Sequence, residues 1–129
     1  MDTRYSKTHE WCRLEGNVGT IGISKHAADE LTDLTYLELK VKKGDRVKQG
    51  QVFGEIDSVK ATSELFAPVS GTVTELNGRF ADEDELAAIT KSPETDGWLL
   101  KLELAAGTDF DGLMKKADYE AFTQKEGHH

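Results

Sequence analysis

A chain of 129 residues is long enough for one domain with a single buried core, and its apolar residues (37%) recur in short periodic runs that suit a globular fold. Its 24 acidic and 16 basic residues leave a net charge of −8, which excludes the positive footprint that a nucleic-acid partner requires. No apolar run reaches the length of a membrane span, the single Cys12 has no partner for an internal disulfide, and no Cys or His spacing suits a metal, so any redox function must come from an added cofactor.

The N-terminus, Met1 to Ser6, has neither a secretory core nor an Arg- and Ser-rich presequence and runs straight into strand-like sequence. A bacterial cytoplasmic location is expected, or the mitochondrial matrix for a processed eukaryotic chain. Gly127-His128-His129 reads as a vector remnant. The first hairpin is predicted from His9 to Glu15 and from Val18 to Ile23, with its turn at Gly16-Asn17, where both residues tolerate positive φ. Ser24 then caps a short helix that places Ala27, Ala28, Leu31 and Leu34 on one face. Tyr36, Leu37 and Leu39 open the next strand region, and Gly44-Asp45 and Gly50-Gln51 punctuate the path into Val52 to Ile56.

The segment from Gly54 to Pro68 holds two apolar-alternating runs that meet at Lys60 between small residues, so its ammonium is expected at an exposed hairpin tip. A lysine presented in this way is a candidate for covalent loading with a prosthetic group. Val69 to Leu76 forms the next strand, with Gly71 at a bend. Asp82 to Leu86 is predicted as a helix start, because carboxylates favour the positive end of the helix dipole. Residues 91–97 make a loop, and Trp98 to Leu104 returns as a strand with Trp98 in the core. The tail, about residues 109–124, carries an amphipathic pattern broken near Asp118, which predicts two short helices. Cys12 falls where strand alternation places a packing residue.

Many short strands with few helices imply a mainly β fold: a β-sandwich or flattened barrel, with a short helix after the first hairpin and helices at the C-terminus. A weak internal echo supports two similar halves paired about a pseudo-two-fold axis: Gly44-Asp45-Arg46-Val47 precedes the lysine and Ser70-Gly71-Thr72-Val73 follows it.

Tyr5-Ser6-Lys7-Thr8-His9-Glu10-Trp11, Gly19-Thr20-Ile21-Gly22-Ile23, Asp57-Ser58-Val59-Lys60-Ala61, Phe66-Ala67-Pro68-Val69-Ser70-Gly71, Asp96-Gly97-Trp98-Leu99 and Tyr119-Glu120-Ala121-Phe122 stand in the order of one known family. Over nearly its whole length the chain resembles the H protein of the glycine cleavage system, a lipoyl carrier with the barrel-sandwich fold of biotinyl and lipoyl carriers. The resemblance implies a single lipoyl-carrier domain over residues 1–129 and lipoic acid joined to Lys60 through an amide. It implies that the protein is not itself an enzyme. In the family's cycle a pyridoxal-phosphate glycine decarboxylase loads an aminomethyl group onto the arm, a tetrahydrofolate-dependent aminomethyltransferase removes it, and the FAD enzyme dihydrolipoyl dehydrogenase reoxidises the dithiol. A lipoate ligase or a lipoyl/octanoyl transferase attaches the arm. A shuttle that docks on several enzymes is expected to be a monomer.

The same resemblance implies a cleft that shelters the loaded arm, lined by Thr8, Glu10 and Glu64, with His26 beside it. It further implies that Gly44 and Gly71 shape the lysine hairpin and help the attaching enzyme to recognise it. The chain departs from the family pattern in several places. Leu39 to Gly44 lacks a proline and is one residue longer, the usual Asn-Pro before Glu85-Leu86 is Glu83-Asp84, Thr32 replaces a glycine, and Asp57 replaces a glutamate. These changes leave open a divergent paralogue that carries or relays lipoate to other proteins, and an unmodified interaction module of the same fold is a further rival reading. A lipoyl domain of a 2-oxoacid dehydrogenase lacks the His9-Glu10-Trp11 start, and a biotinyl domain flanks its lysine with methionines where Val59 and Ala61 stand here.

Overall fold

The computed structural model describes residues 2–126 apart from Thr32, Lys60 and Asp109. Among the described residues there are nine strands: β1 (Asp2–Tyr5), β2 (Glu10–Glu15), β3 (Val18–Ile23), β4 (Leu34–Leu39), β5 (Arg46–Val47), β6 (Val52–Ser58), β7 (Thr62–Phe66), β8 (Gly71–Leu76) and β9 (Leu100–Leu104). Three α-helices accompany them: α1 (Lys25–Leu31), α2 (Ala87–Lys91) and α3 (Lys116–Glu126). The strands form two antiparallel sheets, one ordered β1-β2-β3-β9-β8-β5 and the other β4-β6-β7. The fold is thus mainly β, as expected, in its open two-sheet form and not as a closed barrel.

Strand alternation decides which residues meet in the core. On β2, Trp11 and Cys12 are both fully buried but point to opposite faces. Cys12 joins the main core with Ile21, Ile23, Leu100 and Leu102 of the large sheet and Phe53, Ile56 and Leu65 of the small one. Trp11 joins Tyr5 and Tyr119 in a second cluster, with Trp98, Met114 and Phe122 packed around it. The outer face of β1–β2 is therefore apolar too, and α3 covers it. Tyr5 and Tyr119 stack with ring centres 4.5 Å apart.

Ser24 caps α1 as its sequence position predicts: its Oγ accepts from the Ala27 amide at 3.2 Å. The two echo segments lie side by side, with Arg46 opposite Thr72 and Val47 opposite Gly71. Their antiparallel pairing gives the expected local two-fold relation.

Five expectations need correction. The N-terminal residues form an edge strand of their own, β1, to which the sequence pattern assigns no separate element. Its Arg4 is buried, with its guanidinium 5.2 Å from the centre of the Phe110 ring. Leu34 belongs to β4 and not to the helix before it. The acidic run from Asp82 does not open an α-helix. Asp82 closes a 3-10 turn at Gly78–Ala81 and the run continues in a second one at Glu83–Glu85, with the Asp82 carboxylate accepting from the Asp84 amide at 3.0 Å. Trp98 precedes β9 and is only half-buried. The tail holds one helix instead of two, because Asp118 sits in the first turn of α3, where its charge suits the dipole.

Candidate functional site

The strands β6 and β7 build the predicted lysine hairpin, with Asp57 opposite Thr62 and Ile56 opposite Ser63. Its tip is closed by the Ser58 amide donating to the Ala61 carbonyl at 2.8 Å and by the Ala61 amide donating to Ser58 Oγ at 3.1 Å. Val59 is held from outside the hairpin, its amide donating to the Asp33 carbonyl at 3.1 Å, while its side chain is 66% exposed. Lys60 lies outside the described residues, between these two well-fixed neighbours.

A cleft of about 220 Å³ starts at Ala61 and runs between β7 and the segment that joins β1 to β2. Its walls are apolar along Ile23, Ala27, Leu31, Ile56 and Leu65, and polar at Thr8, Glu10, Ser63 and Glu64. Three of the sequence-predicted residues, Thr8, Glu10 and Glu64, are thus brought together. Glu64 is exposed and faces Glu55 across the β6–β7 pair. Two carboxylates opposite one another on one face of a hairpin repel, so this wall favours a cation.

Glu10 is the unusual member of the set. It is 1% exposed, which a carboxylate tolerates only with full hydrogen bonding. Ser6 Oγ donates to Oε1 at 2.9 Å, Thr8 Oγ1 donates to the same oxygen, and the Phe66 amide donates to Oε2 at 3.2 Å. Burial pushes the carboxyl pKa up to about 7, against the pull of the donors from Thr8, Phe66 and Ser6. Both ionisation states are therefore accessible near neutral pH.

The loop that delivers Glu10 is tight. His9 adopts φ +74°, a left-handed conformation that L residues rarely take, and donates its amide to the Ser6 carbonyl at 3.1 Å. The cost is offset around it. The His9 carbonyl accepts from the Ser24 amide at 2.9 Å, and its ring Nδ1 lies 2.6 Å from the Tyr119 hydroxyl, which also lies 2.6 Å from Ser24 Oγ. His9 thereby fastens the cleft rim to α1 and α3.

His26 is placed elsewhere. It lines a second groove of about 580 Å³ with Tyr5, Glu94 and Tyr119, and its ring centre is 4.9 Å from that of His9. Its Nε2 lies 3.1 Å from Glu30 Oε1, and both Glu30 and His9 line the cleft, so His26 stands behind the cleft wall and meets it through those two side chains. Gly44 and Gly71 are also placed away from the hairpin. Gly44 takes φ +96° in the turn before β5 and donates its amide to the Val73 carbonyl at 2.8 Å. Gly71 pairs with Val47 on one side and Leu104 on the other, and a Cβ there would strike the Glu103 carbonyl. Both glycines shape the β5–β8 edge of the large sheet.

Sequence reasoning missed Ser6, Glu30 and Ser63. Ser63 was recoverable from alternation, being two residues from Leu65 on β7, whereas Ser6 shows its role only once the turn folds it back on Glu10. Cys12 takes no part: burial pushes its thiol up to about 12, and it acts as a packing residue. Among the described residues no helix is long and apolar enough to cross a membrane.

The relatives of this chain agree in kind. The glycine cleavage H-protein family profile matches residues 3–126. The glycine cleavage system H protein of Symbiobacterium thermophilum is 45% identical over 126 residues, covering 98% of this chain and 95% of its own length. That of Nitratidesulfovibrio vulgaris is 42% identical over 127 residues, covering 98% and 96%. Among solved structures, the crystal structure of a glycine cleavage system H protein from Mycobacterium marinum superposes with a TM-score of 0.76 at 27% identity, covering 98% of this chain and 97% of the other. With a two-sheet fold, a lysine hairpin and a profile match across almost all of its residues, the chain belongs to the glycine cleavage H-protein family.

Proposed function

We propose that the chain is a non-catalytic lipoyl carrier, loaded on Lys60, that moves one-carbon units and electrons between the enzymes of glycine cleavage. The observation that carries this reading is the cleft: it starts beside position 60, offers an apolar wall and ends on the buried Glu10 carboxylate. A hydrocarbon arm suits Ile23, Leu31, Ile56 and Leu65, and an ammonium at its end suits Glu10 and Glu64. When attached, lipoate supplies a dithiolane that accepts a reduced one-carbon amine and two electrons.

The chain's own residues bind, shelter and release. Leu31, Ile56 and Leu65 exclude water from the apolar length of the cleft, which protects a hydrolysable cargo. Glu10, held by Ser6, Thr8 and the Phe66 amide, is fixed in place before the cation arrives, so little ordering is lost on binding. Glu64 adds charge at the open side. Tethering to a hairpin tip keeps the cofactor at high local concentration around each docked enzyme. The expected partners are the pyridoxal-phosphate decarboxylase, the tetrahydrofolate-dependent aminomethyltransferase, the flavin dehydrogenase and a lipoate-attaching enzyme, met in the cytoplasm.

Intact mass after co-expression with a lipoate ligase tests the attachment. A lipoyl-sized gain that disappears in Lys60→Ala supports it, and no gain on the parent chain rejects it in favour of an unmodified module. Reconstitution with glycine decarboxylase tests the circuit. A lipoylated chain that accepts no amine would indicate a paralogue that relays lipoate to other proteins.

A further inference from the structure

On a chain of net charge −8, five of the sixteen basic residues fall within nine positions: Lys40, Lys42, Lys43, Arg46 and Lys48. All five are exposed, and none makes an ion pair among the described residues. The fold gathers them further. The Lys42 to Asp45 turn is closed by the Asp45 amide on the Lys42 carbonyl at 3.0 Å, with Gly44 at φ +96°, and it presents Lys43 at its apex with Lys42 at its start. Arg46 lies on β5, the outermost strand of the large sheet. Asp45 is the acid within the segment, and its carboxylate accepts from the Lys42 amide at 2.9 Å and is spent on closing the turn.

Charged side chains on an edge strand can serve simply to block sheet-to-sheet aggregation. The two edges of the small sheet show how little that takes here: β4 and β7 expose Glu38 and Glu64. Five unpaired cations around a two-residue strand exceed what protection of an edge requires.

We infer that the Lys40–Lys48 segment is a docking surface for an acidic patch on a protein partner. A membrane or a duplex nucleic acid is a worse match, because a stiff polyanionic surface wider than the segment would also meet the acidic remainder of the chain, whereas acidic side chains on a polypeptide can engage the cations alone. A protein patch engages the cations locally, within a screening length of about 8 Å. The position is suited to a carrier. β4 runs from Leu34, beside Ser58 at the hairpin tip, to Leu39, beside Gly54, and the Lys40 amide then donates to the Phe53 carbonyl at 2.8 Å. The basic segment therefore sits at the hairpin base, roughly 17 Å of strand away from the tip. A partner bound there leaves the tip free to enter its active site.

The choice of enzymes in the test rests on the carrier reading; the surface itself does not. Two lipoylated variants carry the same change in net charge. One has Lys40, Lys42, Lys43, Arg46 and Lys48 replaced by Gln, and the other has the exposed Lys7, Lys91, Lys115, Lys116 and Lys125 replaced by Gln. Poly-L-glutamate at low salt is the chemical probe, and kcat/KM with each of the three cycle enzymes is the functional one. Expected are weaker binding of poly-L-glutamate and, for at least one enzyme, a fall in kcat/KM of about tenfold with a flatter salt dependence, both confined to the first variant. Equal behaviour of the two variants with the polymer, or with every enzyme, overturns the inference. So does preferential binding of the parent chain to anionic vesicles or duplex DNA. If no chain accepts lipoate, the carrier reading fails, and the polymer alone decides the surface.

Discussion

Glu10 shows how a residue's neighbours alter its chemistry. Its folded-state carboxyl pKa is raised to about 7 from an ordinary 4.5, chiefly by burial. The folded chain thus keeps a proton that the unfolded chain has already lost. The stability this confers is complete below about pH 4.5 and is lost as pH rises through about 7, a change on the order of 3 kcal/mol. Glu10→Gln should abolish that decline. The Gln oxygen can accept from the Phe66 amide, and its amino group can donate to the Ser6 and Thr8 hydroxyls, which rotate to accept. Urea midpoints at pH 5 and pH 8 check this: the parent should lose stability between them and the variant should not. None of this was legible locally, since an exposed carboxylate is the default for the Thr8-His9-Glu10 stretch. Burial follows from a donor 56 positions away, the Phe66 amide, and from a left-handed His9 that no propensity forecasts.

At the scale of elements, the turns and the alternation carried most of the information. Gly16-Asn17 joins β2 to β3 and Ser24 starts α1 because local backbone chemistry alone decides those points. The acidic run before Leu86 misled for the same local reason: its short Asp side chains hydrogen-bond the backbone and favour 3-10 turns. The two glycines of the β5–β8 edge differ in what they require. Gly71 is needed because the Glu103 backbone fills the space of a Cβ, and backbone cannot move without parting β8 from β9. Gly44 has open space but φ +96°, so a side chain there meets conformational strain and no clash. Gly71→Ala is therefore expected to cost the more, about 1–3 kcal/mol against about 1 kcal/mol for Gly44→Ala. Denaturant unfolding of both variants gives the order, and a reversed order would refute the account.

The whole molecule is two sheets around one core, with a second, smaller core on the outer face of β1–β2 that exists only because α3 closes it. That second core was the least legible part of the chain. Trp11 and Tyr5 read as ordinary strand residues, and the weak amphipathy of the tail gave no sign that Tyr119 would reach back to His9 and Ser24. The consequence is that α3 supports the cleft from behind. Tyr119→Phe keeps the stack on Tyr5 and removes the hydroxyl from the buried Ser24 and the half-buried His9, so a loss of about 1–3 kcal/mol is expected. Ending the chain at Lys115 removes the ring as well and uncovers Trp11, which should raise the loss to roughly 3 kcal/mol or more. Hydrogen exchange separates a local from a global effect. The His9 and Glu10 amides should lose protection in Tyr119→Phe before those of β8 and β9 do, because His9 is the link between the helix and the rim. Uniform loss across both sheets would mean that α3 stabilises the fold without holding the cleft.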